Sequence, residues 1–196
     1  MHAGPRCGLL PRAARPDRGG PATAGELIGE TAWRYATLAA PSGPTSPADG
    51  YDPSVSKYPE NDTKFQLVRD LDLPAGKYAI TSSGPLGVRE IREIGDIDLI
   101  VADDLWNELA AVYPATQKDG VTVIRVSPDI EVIGIGLFGE PEEPGQPSVA
   151  EQIAQADIID GLPFVSLRHV LYFKRQMNRE KDQRDIAALE RLLDQR

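Results

Sequence analysis

Two aspartates separated by one apolar residue interrupt an otherwise hydrophobic run, Gly95-Asp96-Ile97-Asp98-Leu99-Ile100-Val101. Successive side chains on a β-strand alternate between faces, so Asp96 and Asp98 point one way while Ile97, Leu99 and Val101 point the other. A strand so patterned must bury one face and hold two carboxylates side by side on the opposite one. Two ionised carboxylates at that spacing repel each other, and a cation between them is the least costly way to keep them there. A short distance upstream, Ser82-Ser83-Gly84-Pro85 makes a small glycine-containing turn through which a backbone can approach a phosphate. The pair of features points to a divalent metal and a phosphorylated substrate.

The rest of the composition narrows the classes of function. A chain of 196 residues holds one sizeable domain more comfortably than two. Its formal net charge of -9, with no long basic stripe, argues against an extended nucleic-acid surface. A small nucleotide is compatible with that charge, because a metal neutralises it. The single Cys7 excludes an internal disulfide, and with His2 and His169 as the only histidines there is no zinc-type ligand spacing and no histidine-based triad. A reducing cytoplasm is the expected compartment. The longest apolar runs, around Leu99–Ala102 and Val132–Phe138, are too short for a bilayer, so no membrane partner is expected.

Residues 1–60 are rich in Pro, Gly, Ala, Arg, Ser and Thr and read as a disordered or low-complexity arm, or as an upstream extension from a misjudged start site. Gly25–Leu38 is the one stretch there with enough apolar content for a short helix. The arginines Arg6, Arg12, Arg15 and Arg18 suit an organellar presequence, whereas the prolines and glycines argue against the amphipathic helix one needs.

From residue 61 onward the pattern is that of a folded domain. A helical turn is expected over Phe65–Leu71, a strand over Lys77–Thr81, a short helix over Pro85–Ile94 ended by Gly95, and the second strand over Asp96–Val101. Asp103 is placed to cap a helix whose Trp106, Leu109 and Val112 serve the core. Val121–Val126 and Ile130–Ile135 read as strands of a hairpin joined by Ser127-Pro128-Asp129. Glu140–Pro147 is a loop, and Ser148 with Glu151 forms a capping box for a helix to Ala156. Ile158-Ile159 and Phe164-Val165 flank Asp160-Gly161 as a short extended turn. Ser166 then caps a helix from Leu167 to about Met177, and a last helix starting near Asp182 carries Ile186, Leu189, Leu192 and Leu193 at helical spacing.

Ser83-Gly84, a short helix and then Asp96-x-Asp98 on the following strand resemble the signature of the nucleotidyltransferase superfamily, the polymerase β-like minimal fold. The block Gly161-Leu162-Pro163-Phe164-Val165-Ser166, followed by Lys174 and Asn178–Ile186, resembles the closing helices of small bacterial nucleotidyltransferase-like proteins. The resemblance covers roughly residues 64–194. It implies an α+β fold with a short mixed β-sheet, packed helices and a C-terminal helical pair. It also implies that Asp96 and Asp98 are paired ligands for Mg²⁺ or Mn²⁺, and that a third carboxylate on a neighbouring strand joins them. Glu131 is the first choice for that role and Asp129 the rival, depending on where the turn ends. Ser82, Ser83 and Gly84 then hold phosphate, although the family has Gly-Ser where this chain has Ser82-Ser83. Lys174, Arg179 and Lys181 contact the triphosphate, with Asp182 and Asp185 as a cap and a basic-residue partner that orient them.

Arg89 and Arg92 lie at i, i+3 with one face able to reach phosphate, but the interleaved Glu90 and Glu93 offer surface ion pairing instead. His169 reads as packed or half-exposed rather than catalytic.

The expected activity is metal-dependent transfer of a nucleoside monophosphate from a nucleoside triphosphate such as ATP to an acceptor, an RNA end among the possibilities. Two other readings stand beside it: a nucleotide- or partner-binding module that kept the fold without turnover, and the toxin of a toxin–antitoxin pair, whose partner is a small antitoxin.

Overall fold

A computed structural model describes residues 56–118, 120–134 and 145–195. The expected arm up to residue 55, the helix at Gly25–Leu38 and most of the 140–147 loop lie outside the described residues.

The first element is longer than its apolar spacing suggested. Helix α1 runs from Pro59 to Asp70, with Pro59 in the first turn, Glu60 and Asp62 near the N-terminus and Arg69 in the last turn, a charge order that suits the helix dipole. It begins inside the stretch read as arm. Strand β1 (Tyr78–Ile80) follows, then α2 (Gly84–Gly87), β2 (Ile97–Val101) and α3 (Asp103–Ala110). Next come β3 (Ala115–Lys118), β4 (Val121–Ser127) and β5 (Ile130–Ile133). The chain closes with α4 (Val149–Ala154), β6 (Asp157–Ile159), β7 (Leu162–Phe164), α5 (Leu167–Met177), a 3₁₀ turn (Glu180–Asp182) and α6 (Gln183–Asp194).

The strands form one mixed seven-stranded sheet in the order β3-β4-β5-β2-β1-β7-β6. The β2–β5 and β1–β7 pairs are parallel and the other pairs antiparallel. The α+β class is as expected, but the sheet is wider than the sequence reading. Strand β3 was not expected at all. Its sequence signal is Asp119-Gly120, a dipeptide that favours two-residue hairpins, and Gly120 has φ +80°. The extended turn expected around Asp160-Gly161 is a hairpin between β6 and β7, with φ of +49° and +77° at those two residues.

Both faces of the sheet are covered. On one, Ile97, Leu99 and Val101 of β2 join Tyr78, Ile80, Ile124, Ile130, Val132 and Phe164 beneath Phe65 and Val68 of α1 and Leu105 and Leu109 of α3. On the other, Ala79, Ile100 and Val165 lie beneath Leu86 of α2, Leu167, Val170, Leu171 and Phe173 of α5, and Leu189 of α6. The alternation expected over residues 96–101 holds from Ile97 to Val101, where it is the division between two cores. Trp106 and Val112 are partly buried against the first core and Leu109 is inside it, as expected.

The helix expected over Pro85–Ile94 is a single turn. Glu90 has φ +54°, which breaks the helical path, and Ile94 is drawn into the first core. A buried residue outside the expected elements organises this segment. The Asn61 side chain donates to the carbonyls of Gly87 (3.3 Å) and Arg92 (3.0 Å) and accepts from the Ile94 N–H (3.0 Å). Lys64 adds a bond to the Ile94 carbonyl at 3.0 Å. Helix α1 therefore fixes the path by which the chain reaches Asp96.

The C-terminal half follows its local signals. Ser148 and Glu151 form the full capping box of α4. The Ser166 hydroxyl accepts the His169 N–H at 3.4 Å. Asn178 ends α5 in the left-handed conformation, φ +44°, and turns the chain back so that α6 pairs with α5. Among the described residues, no helix is long and apolar enough to cross a membrane.

Candidate metal centre

Asp98 and Ile100 share a face of β2, so the second face begins acidic and becomes apolar where the C-terminal helices cover it. The parallel register of β2 and β5 sets Asp98 beside Glu131. Asp96 lies one residue before the strand begins, at the bend after Gly95, rather than on the strand. Asp96, Asp98 and Glu131 each offer a carboxylate oxygen, and these oxygens lie within 4.8 Å of one another. Asp129 sits exposed in the β4–β5 turn, where its carbonyl receives the Ile97 N–H at 2.8 Å, so Glu131 is the third carboxylate of the cluster. Three hard oxygen donors at this spacing can hold a divalent ion.

The electrostatics of the trio are uneven. Burial, reinforced by the charges of Asp96 and Glu131, pushes the Asp98 carboxyl up to about 6, while a hydrogen bond from the Ser82 hydroxyl pulls the other way. Glu131 is more deeply buried, at 4 % side-chain exposure. Burial alone would raise it, but bonds from Lys118 and Arg125 outweigh burial and hold it below the usual glutamate range. Lys118 Nζ lies 2.6 Å from Oε2, and the Arg125 guanidinium bonds Oε1. Neither cation was singled out by the sequence, because both reach the site through strand register.

The trio opens into a cleft of about 350 Å³ lined also by Ser82, Ser83, Arg92, Lys118, Lys174, Arg179, Lys181 and Asp182, with Val121, Val123, Ile133 and Met177 as its apolar wall. Most of the expected site residues therefore converge. Gly84 is not among the lining residues: its N–H bonds the Thr81 carbonyl at 3.0 Å, and a Cβ there would come within 2.3 Å of the Ile80 side chain. Glycine at this position serves packing beneath the turn. Ser82 has φ +55°, a conformation that favours glycine, and its hydroxyl bonds Asp98. Serine at this position thus carries backbone strain and a contact to Asp98 together. Because α2 is one turn long, its dipole adds little at the cleft.

The expected phosphate cations differ in setting. Lys174 is buried, its Nζ 2.8 Å from Asp182 Oδ1 and 2.9 Å from Asp185 Oδ2. Arg179 bonds Asp182 at 2.5 Å and stays half-exposed. Lys181 is exposed at the cleft and makes no ion pair among the described residues. Asp182 and Asp185 are both partners of basic residues, and Asp182 does not cap α6 with its side chain. Arg92 does not pair with its neighbouring glutamates: it grips Asp185 through both carboxylate oxygens, at 2.9 and 3.1 Å. Arg89 reaches Asp157. His169 is half-buried and burial lowers its pKa, consistent with a packed residue.

No family model, no curated protein and no solved structure matches this chain. The functional reading therefore rests on the cleft itself.

Proposed function

We propose that this protein is a metal-dependent nucleotidyltransferase of the polymerase β-like superfamily, moving a nucleoside monophosphate from a nucleoside triphosphate to an acceptor hydroxyl. The observation that supports this reading is the meeting of Asp96, Asp98 and Glu131 with the Ser82-Ser83 turn and the Arg179 and Lys181 cations in one cleft. Mg²⁺ or Mn²⁺ bound by the trio supplies charge neutralisation at the phosphates and acidifies an attacking hydroxyl. Asp96 and Asp98 are the ligands nearest the phosphate turn in sequence, and Glu131 completes the set or accepts the acceptor proton. Ser82 and Ser83 orient phosphate oxygens through their hydroxyls. Arg179 and Lys181 offset the charge that develops as the leaving pyrophosphate departs. Lys174 acts one layer behind them by holding Asp182. The acceptor is a hydroxyl compound, a class that spans small molecules, RNA ends and protein side chains. ATP is the first donor to test and the cytoplasm the compartment this chemistry suits.

A second reading is favoured by one observation: both oxygens of Glu131 are already engaged by Lys118 and Arg125. On that reading the cleft binds a nucleotide, or a partner, without turnover.

Titration of labelled nucleoside triphosphates against wild type and the Asp96→Ala/Asp98→Ala variant, with and without Mg²⁺ or Mn²⁺, separates the two. Metal-dependent binding that disappears in the variant supports the transferase. Nucleotide binding that ignores both metal and variant supports the binding module. A wild type that binds neither metal nor nucleotide overturns both as nucleotide proteins.

A further inference from the structure

Glu131 is held by two cations that reach it from different places. Arg125 lies on β4 directly across from Glu131 in the antiparallel register, and it is not among the residues that line the cleft. Lys118 is the last residue of β3, the edge strand, all four residues of which are exposed. Its stem crosses to the cleft, and its ammonium feels the charges of Asp96 and Asp98 as well as the bond to Glu131. Both cations therefore stand on strands of the sheet, but Arg125 meets Glu131 directly across the β4–β5 pair, whereas Lys118 reaches it from the end of the edge strand and lines the cleft.

We infer that Lys118 is a tethered counter-ion that occupies the acidic trio when no metal is present and is displaced when a divalent cation binds, leaving Arg125 to hold Glu131. This rests on the metal-site reading above and adds how that site is regulated. The chemistry of the two residues suits the division. A lysine ammonium is a compact, well-hydrated charge on a flexible stem, and this one already reaches water at 48 % side-chain exposure. Arg125 is exposed too, at 59 %, so the two cations differ in headgroup and in place at the cleft rather than in burial. A divalent ion at the same distance attracts each carboxylate twice as strongly as the ammonium does. Arg125, bonded to the other oxygen, remains as the group that orients a ligating carboxylate. The lysine thus keeps the trio from flying apart without metal, and it sets the metal concentration at which the site fills.

The test is calorimetric titration of Mn²⁺ alone into the full chain as wild type, Lys118→Met, Lys118→Gln, Lys118→Arg and Arg125→Met, each checked for folding by circular dichroism. Removing the ammonium is expected to tighten Mn²⁺ binding by about tenfold or more, the loss of one competing ion pair. Lys118→Arg is expected to weaken it, because a guanidinium grips a carboxylate through two bonds. Arg125→Met is expected to weaken it through loss of the orienting bond. A wild type blind to Mn²⁺ beside a Lys118 variant that binds it also supports the inference. If wild type binds Mn²⁺ and neither Lys118→Met nor Lys118→Gln binds it more tightly, the counter-ion role is overturned while the metal site stands. If wild type and every variant fail to bind Mn²⁺, the metal site falls and the counter-ion role falls with it.

Discussion

Two groups of buried charge line the same cleft and are composed differently. In the C-terminal group each carboxylate meets two cations: Asp182 is bonded by Lys174 and Arg179, and Asp185 by Lys174 and Arg92. In the acidic trio, Glu131 takes both direct cation bonds, and Asp98 is left half-buried with its carboxyl pushed up to about 6. Breaking a balanced buried network is destabilising because it strands a charge. An unbalanced one costs stability as it stands, and groups perturbed in this way concentrate where ligands bind. The first group reads as a frame that fastens α5 and α6 to the segment carrying Arg92. The second reads as the site.

The sharpest way to break this comparison is to unbalance the frame. Lys174→Met leaves Asp182 and Asp185 without their shared cation, and urea denaturation is expected to show a loss of about 3–5 kcal/mol. A loss under about 1 kcal/mol would mean that the network is no frame.

Asn61 joins the two groups, since it fixes the segment that ends at Arg92 on one side and Asp96 on the other. Asn61→Ala strands the Ile94 N–H and two carbonyls, at an expected cost of about 2–3 kcal/mol. Weakened Mn²⁺ binding should accompany that loss, because the position of Asp96 depends on the same bonds.

The trio should respond in the opposite sense. The folded-state pKa of Asp98 is raised, so its ionised form weakens the metal-free fold. That penalty is absent below the unfolded value near 3.8, grows as the pH rises to about 6, and is complete above it. Asp98→Asn should therefore stabilise the metal-free protein at pH 7 by on the order of 1–2 kcal/mol, after allowance for partial exposure, and the gain should vanish near pH 3. Urea unfolding across that range checks the sign. The same variant should lose Mn²⁺ binding.

The smallest effect is expected at Ser82. Ser82→Gly relieves the positive φ, a gain of up to about 1 kcal/mol, and removes the hydroxyl from Asp98. NMR titration of the Asp98 carboxyl should then show a midpoint above that of wild type. A lower midpoint would contradict the Ser82–Asp98 bond.

Much of the fold was legible because its signals are local. Alternation over residues 97–101, the caps at Ser148 and Ser166, and the apolar spacing of the last helices each lie within a few residues of what they specify. Strand β3 was missed although its Asp119-Gly120 signal is local, and the other misses have long-range causes. The full length of α1 depends on Asn61 and Lys64 finding the Ile94 region, the former across 33 residues, and Arg92 meets Asp185 across 93. The expected helix after Pro85 failed because tertiary burial of Ile94 prevailed over local helix signals.

Periodicity alone placed Asp98 on the face opposite Ile97, Leu99 and Val101, because side-chain alternation is a property of the backbone, whereas Asp96 reaches it from the bend before the strand. Which third acid joins them and which cations hold it are matters of strand register. The β2–β5 pairing brings Glu131 rather than Asp129 to Asp98, and the β3–β4–β5 order brings Arg125 and Lys118 to Glu131. Register is set by the packing of whole elements against two cores, so the tertiary structure decided what the carboxylate pair became.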